Sequence, residues 1–126
     1  MTGENILVVE DDGLIALYLT ALLEKAGYQV IGLASSGEMV LRMLEEEKKP
    51  DLILMDVGLA GSLDGIETAL LIRQRFPVHL IFLTGSLSES TLERMQAVKP
   101  EGYIEKPFRE ENLLAVVRKA IEQRTT

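Results

Sequence analysis

The chain is 126 residues long, 47% hydrophobic, and carries a formal net charge of −7 with no cysteine. One compact domain over residues 1–126 fits that length. The acidity excludes nucleic-acid binding through clustered Lys and Arg, the lack of Cys excludes disulfides and thiolate metal sites, and no apolar run approaches the roughly 18 residues of a membrane span. No basic stretch followed by a long apolar one suggests a signal peptide, so a cytoplasmic location is expected.

Ile6-Leu7-Val8-Val9 is a short apolar run that ends abruptly in Glu10-Asp11-Asp12, the pattern of a buried strand. Helical spacing follows over Leu14–Ala26, with Gly27 as a natural stop. Gln29–Ala34 reads as a second strand. Ser35 and Glu38 have capping-box spacing for a helix through about Glu47, and Pro50 breaks it. Asp51–Asp56 contains Leu52-Ile53-Leu54-Met55, a third buried strand that again ends on an acid. Gly58, Gly61 and Gly65 mark a loop, and Ile66–Phe76 is a helix closed by Pro77. His79–Thr84 is a fourth strand, Glu89–Val98 a short helix and Tyr103-Ile104 a brief fifth strand. Phe108–Gln123 is a final amphipathic helix whose Leu113, Val116, Val117 and Ala120 share a face.

This β-α alternation predicts an α/β fold, a parallel sheet with helices on both sides. Crossover handedness leaves few topologies, and the flavodoxin-like (βα)5 order 2-1-3-4-5 is the one expected. Ligands in such sheets bind beyond the carboxyl ends of the strands, near the switch in strand order. Glu10 and Asp11 fall there, as do Asp56, Thr84 and Lys106. Strands one and three would be neighbours, so three carboxylates should converge. Uncompensated, they repel one another. Mg²⁺ resolves this, since it takes oxygen ligands and retains waters. Asp11 and Asp56 are the expected direct ligands, Glu10 acts through water, the Gly58 carbonyl adds an oxygen, and Mn²⁺ is a second option. Lys106 supplies positive charge and Thr84 a hydroxyl, a set suited to a phosphoryl group in transfer. Asp56 would then be the nucleophile. Taken singly, each residue has an ordinary reading: Asp12 suits a helix cap, Thr84 a turn, Lys106 a solvated surface. Their joint placement on one sheet edge favours the functional one.

These residues resemble the receiver domains of two-component response regulators over nearly the whole chain. Ile6–Asp12 is similar to that family's first strand and acid pair, and Asp51–Asp56 to the strand carrying the phosphoacceptor. Asp64-Gly65-Ile66-Glu67 resembles the start of the third helix. Ile81-Phe82-Leu83-Thr84-Gly85 resembles the strand with the signalling Thr. Gly102-Tyr103-Ile104-Glu105-Lys106-Pro107-Phe108 resembles the most specific motif, in which the Lys contacts the phosphoryl group and the bond to Pro107 is cis. The resemblance implies phosphoryl transfer onto Asp56 from a sensor histidine kinase or a histidine phosphotransfer protein, followed by self-catalysed dephosphorylation. It implies a switch in which Thr84 moves toward the phosphoryl group and Tyr103 turns inward, reshaping the face of helix four, strand five and helix five, which is also a surface for homodimerisation. A downstream effector or a fused output domain would read that face.

Three departures stand out. The loop after Asp56 is one residue longer than the common pattern and has Ala60 where Pro is usual. The acid pair is Glu-Asp. Before Tyr103 the chain reads Val98-Lys99-Pro100-Glu101-Gly102 instead of a Gly-Ala segment, which alters the end of helix four. Gly58 and Ser86, at positions that tune dephosphorylation in the family, are both small and should leave water access open.

Helix one is apolar on two sides, and its second stripe, Leu14 and Leu17, is expected to dock the kinase or phosphotransfer protein. His79, the one histidine, reads as structural at a strand start. Two rival classes remain: a pseudo-receiver that binds partners without phosphorylation, and an Asp-nucleophile hydrolase of the haloacid-dehalogenase type. The latter wants a second acid two residues after the nucleophile, where this chain has Gly58. No G-x-x-x-x-G-K-[ST] loop is present for a nucleotide.

Overall fold

The computed structural model describes residues 3–46, 48–59 and 61–123. The expected end of helix two at Glu47, and Ala60, lie outside those residues. The elements alternate as β1 (Asn5–Val9), α1 (Gly13–Lys25), β2 (Gln29–Ala34), α2 (Gly37–Glu45), β3 (Leu52–Asp56), α3 (Gly65–Arg75), β4 (His79–Thr84), α4 (Glu89–Val98), β5 (Gly102–Glu105) and α5 (Glu110–Gln123). The strands form one sheet in the order β2-β1-β3-β4-β5, and every pairing is parallel. This is the flavodoxin-like order expected from the sequence.

Successive strand residues point to opposite sheet faces, and each face has its own helices. Leu7, Val9, Ile53, Met55, Leu80 and Phe82 pack with Val40 and Leu44 of α2, Ile66 and Ile72 of α3, and Met95 and Val98 of α4. Ile6, Val8, Leu54, Ile81 and Leu83 pack with Leu19 and Leu23 of α1 and with Leu113, Val117 and Ala120 of α5. Val116, assigned to the same face, is only partly buried against that cluster. Central strands covered on both sides are continuously apolar, which is why β3 is buried along its whole length.

Two local expectations are corrected. Ser35 does not cap α2. The cap is Ser36, held extended (φ −152°, ψ 164°), whose side chain accepts from the Met39 N–H. The reason is tertiary: Gly37 is seated so closely on Thr68 of α3 that a Cβ there would overlap the Thr68 hydroxyl. The helix therefore starts one residue later than the Ser35–Glu38 spacing suggests, and Glu38 instead accepts from the Ser62 hydroxyl across the loop. The last helix begins at Glu110, not Phe108. Phe108 belongs to the turn before it and stacks on Tyr18 of α1, ring centroids 6.2 Å apart.

Candidate functional site

The carboxyl edge of the sheet is pinned by backbone hydrogen bonds that carry the strand ladder one residue further. The Glu10 N–H donates to the Ala34 carbonyl at 2.9 Å, the Val57 N–H to Leu83 at 2.9 Å, and the Lys106 N–H to Thr84 at 2.8 Å. Glu10 and Asp56 thus leave the neighbouring strands β1 and β3 at one level, and Lys106 leaves β5 on the far side of β4. Asp12 then starts α1, its Oδ1 accepting from the N–H groups of Leu14 at 3.0 Å and Ile15 at 3.2 Å. The helix-cap reading of Asp12 holds, and it leaves Glu10 and Asp11 to the site.

Carboxylate oxygens of Glu10, Asp11 and Asp56 lie within 4.8 Å of one another. Glu10 and Asp56 are buried, while Asp11 is exposed at the rim. Lys106 Nζ sits 3.0 Å from Asp56 Oδ1 and 3.3 Å from Glu10 Oε1. The Gly58 N–H donates to Asp56 Oδ1 at 3.1 Å, and the Asp12 N–H to Glu10 Oε2 at 3.1 Å. The bond between Lys106 and Pro107 is cis.

Burial pushes the Glu10 carboxyl above its ordinary value; the Asp12 amide pulls it back, and the charge of Asp56 adds to the rise. Burial alone would lower the Lys106 ammonium, but its hydrogen bond to Asp56 and the charges of Asp56 and Glu10 outweigh that and hold it above its ordinary value. One ammonium therefore serves two buried carboxylates, with a third at the rim. The donor set is all oxygen, clustered and short of positive charge, which suits a hard divalent cation.

Asp56, Gly58, Thr84, Ser86, Thr91 and Lys106 line an open cleft of about 290 Å³. Within it the Thr84 hydroxyl donates to the Ser86 carbonyl at 2.7 Å and accepts from the Ser86 N–H at 3.1 Å. Tyr103 is 45% exposed, and its side chain does not line the cleft. Leu14 and Leu17 are 80% and 62% exposed, so no neighbouring side chain covers them. Leu17 borders a groove shared with Glu10, Asp11, Leu33 and Met39.

Two contributors escaped sequence reasoning. Thr91, on the first turn of α4, reaches the cleft, and only the tertiary position of α4 reveals it. Gly65 lies so close beneath the site that a Cβ there would overlap the Asp56 carbonyl oxygen. The sequence signal was present, in the Asp64-Gly65 pair that opens α3.

The response regulator receiver domain family matches residues 6–118. The chain belongs to that family. This receiver domain is 37% identical over 118 residues to the phyllosphere-induced regulator PhyR of Methylorubrum extorquens, a match that covers 93% of this chain and 43% of PhyR. The chain spans about half the length of the curated relatives it matches. Its fold superposes on the signal receiver domain of a modulated diguanylate cyclase from Desulfovibrio desulfuricans with a TM-score of 0.89, at 35% identity, covering 98% of this chain and 97% of the other. It also superposes on the receiver domain of sensor histidine kinase PA1611 from Pseudomonas aeruginosa, a structure with a magnesium ion coordinated in the active site cleft. There the TM-score is 0.84 at 30% identity, over 95% of this chain and 98% of that one. Among the described residues no helix is long and apolar enough to cross a membrane.

Proposed function

We propose that this receiver domain, over residues 1–126, takes a phosphoryl group from phosphohistidine onto Asp56 and uses it as a conformational signal in the cytoplasm. The observation that carries this reading is the Glu10–Asp11–Asp56 cluster with Lys106 Nζ 3.0 Å from Asp56, at the floor of an open cleft. Asp11 and Asp56 would hold Mg²⁺ directly, Glu10 through water, and the Gly58 carbonyl oxygen would add a ligand. Mn²⁺ would suit the same oxygen donors. The magnesium ion in the PA1611 receiver supports that assignment. When bound, the cation supplies positive charge to the oxygens of a phosphoryl group in transfer.

The Asp56 carboxylate is the nucleophile. It forms a P–O bond as the P–N bond of the donor phosphohistidine breaks, and the donor imidazole, protonated on its other ring nitrogen, leaves neutral with the P–N electron pair. Lys106 and Thr84 face the charge that gathers on the phosphoryl oxygens. Hydrolysis later returns the carboxylate. Gly58 leaves that approach open, since a Cβ built there meets only Asp56 Oδ1, at 3.9 Å, and Ser86 is small. The switch begins when the Thr84 hydroxyl exchanges Ser86 for the phosphoryl group, and Tyr103 then turns inward. The face of α4, β5 and α5 changes shape for a downstream effector or a fused output domain, or for a second copy of the chain. This is a local charge event read out by a two-state element.

The donor is a sensor histidine kinase or a histidine phosphotransfer protein, docked on Leu14 and Leu17. Exposure of both leucines, with Leu17 beside Glu10 and Asp11, supports this. Neither nucleic acid nor membrane is a direct partner, in keeping with a net charge of −7. Peptide mapping after acetyl phosphate, Mg²⁺ and borohydride reduction tests the reading. Reduction confined to position 56 is expected; modification elsewhere would overturn the assignment.

A further inference from the structure

Arg73, on the last turn of α3, is bound to the far end of α4. Its Nε donates to the Val98 carbonyl at 3.2 Å, its Nη1 to Val78 at 2.7 Å, and its Nη2 to Lys99 at 2.7 Å and to Glu101 Oε1 at 2.9 Å. Glu101 also accepts from the Leu80 N–H at 2.7 Å, and its Oε2 lies 3.0 Å from His79 Nδ1. Lys99 is left-handed, with φ 58°. One guanidinium therefore takes up the carbonyls where α4 ends, and one carboxylate joins it to the starts of β4 and β5. The Arg73 and Glu101 side chains are 26% and 17% exposed, so water competes weakly. Charge-assisted hydrogen bonds at such a site are the strong kind.

The amino end of α4 is held differently. Ser88 caps it, accepting from the Thr91 N–H at 3.3 Å, and bonds the Thr91 hydroxyl at 2.9 Å, all within a few residues. Near the middle of the helix Arg94 pairs with Asp64 at 2.7 Å, but these side chains are 48% and 30% exposed, and exposed pairs contribute little. Apolar anchoring is skewed the same way. The fully buried residues of α4 are Met95 and Val98, both in its second half, while Leu92 in the first half is only partly buried against the same core. The end that reaches the phosphoryl cleft is thus the loose one.

We propose that the Arg73–Glu101 pair, with His79, anchors the carboxyl end of α4, so that the switch tilts this helix as a lever about Val98–Pro100. This rests on the phosphoacceptor reading above and adds the direction of motion. It also gives a physical role to the Lys99-Pro100-Glu101 segment, a departure from the family's common pattern. A force applied near Thr84 moves Glu89–Leu92, while residues from Met95 onward keep their partners.

The test is amide hydrogen exchange along α4 in Mg²⁺, with and without acetyl phosphate, for the wild type, Glu101→Gln and Arg94→Met. Glu101→Gln keeps the shape and loses the charge, which guards against the misfolding that loss of Arg73 could bring. Intact mass is read on the same samples. In the wild type, phosphorylation should change exchange in the first half of α4 and leave the second half protected. Glu101→Gln should speed exchange in the second half about tenfold, as expected for losing a charged hydrogen bond, and spread the phosphorylation response over the whole helix. Arg94→Met should do neither. A uniform response along wild-type α4 with Asp56 phosphorylated, or an unchanged second half in Glu101→Gln, overturns the lever alone. Absence of phosphorylation in the wild type overturns the receiver chemistry and the lever with it.

Discussion

The Lys106 ammonium bridges the two buried acids of the site, 3.0 Å from Asp56 and 3.3 Å from Glu10. It occupies charge space that a divalent cation would share. Replacing it by Ala should therefore have opposite effects on two properties. Cation binding, measured by calorimetry, should tighten because a competing positive charge is gone. Phosphorylation by acetyl phosphate should slow by about 10²-fold, the usual cost of removing one preorganised donor from a transition state.

Glu10 gives a pH test. Its carboxyl is raised above the ordinary value of 4.5 by burial, with Asp56 adding to the rise. A raised carboxyl contributes stability that is fully present below 4.5 and is lost as pH rises through the folded value. In EDTA at neutral pH, Glu10→Gln should thus unfold at higher urea than the wild type. The gap should close as pH falls. In Mg²⁺ the order should invert, because the cation needs the ionised carboxylates. Circular dichroism in urea at two pH values, with and without Mg²⁺, reads all three.

Gly65 sits against the backbone of the phosphoacceptor. Gly65→Ala would gain helix propensity, yet its Cβ overlaps the Asp56 carbonyl oxygen. Overlap with backbone cannot be relieved by a rotamer, so the substitution should destabilise by about 2 kcal/mol. A lower urea midpoint at unchanged slope checks this.

Leu14 and Leu17 are 80% and 62% exposed, so charge at these positions costs the fold little. The double change to Glu should leave phosphorylation by acetyl phosphate unchanged. Transfer from a phosphohistidine protein that phosphorylates the wild type should slow at least about tenfold, the effect of roughly 1.4 kcal/mol at an interface. Equal rates would remove α1 as the docking surface.

The strands β1, β3 and β4 were legible because burial on both faces makes them continuous apolar runs. Gln29–Ala34 and His79–Thr84 end where the alternation of composition ends. The acids were legible because Glu10 and Asp56 close such runs. What escaped is tertiary. Ser35 carries the capping-box spacing, but Gly37 packed on Thr68 moves the cap to Ser36. Phe108 fits the helical period, but its ring is drawn to Tyr18. Arg73 looks like any surface arginine at a helix end, and nothing in its neighbours along the chain signals the four carbonyl and carboxylate oxygens it meets. Those partners lie at the end of α4 and in the residues just before β4 and β5, brought together by the fold.

The most direct test of phosphoacceptor chemistry at Asp56 is intact mass after incubation with acetyl phosphate, with and without Mg²⁺, alongside Asp56→Asn. The account predicts a gain of one phosphoryl group that requires Mg²⁺ and is absent from the variant. No gain in folded wild-type protein would contradict it and make the chain a pseudo-receiver that works through binding alone.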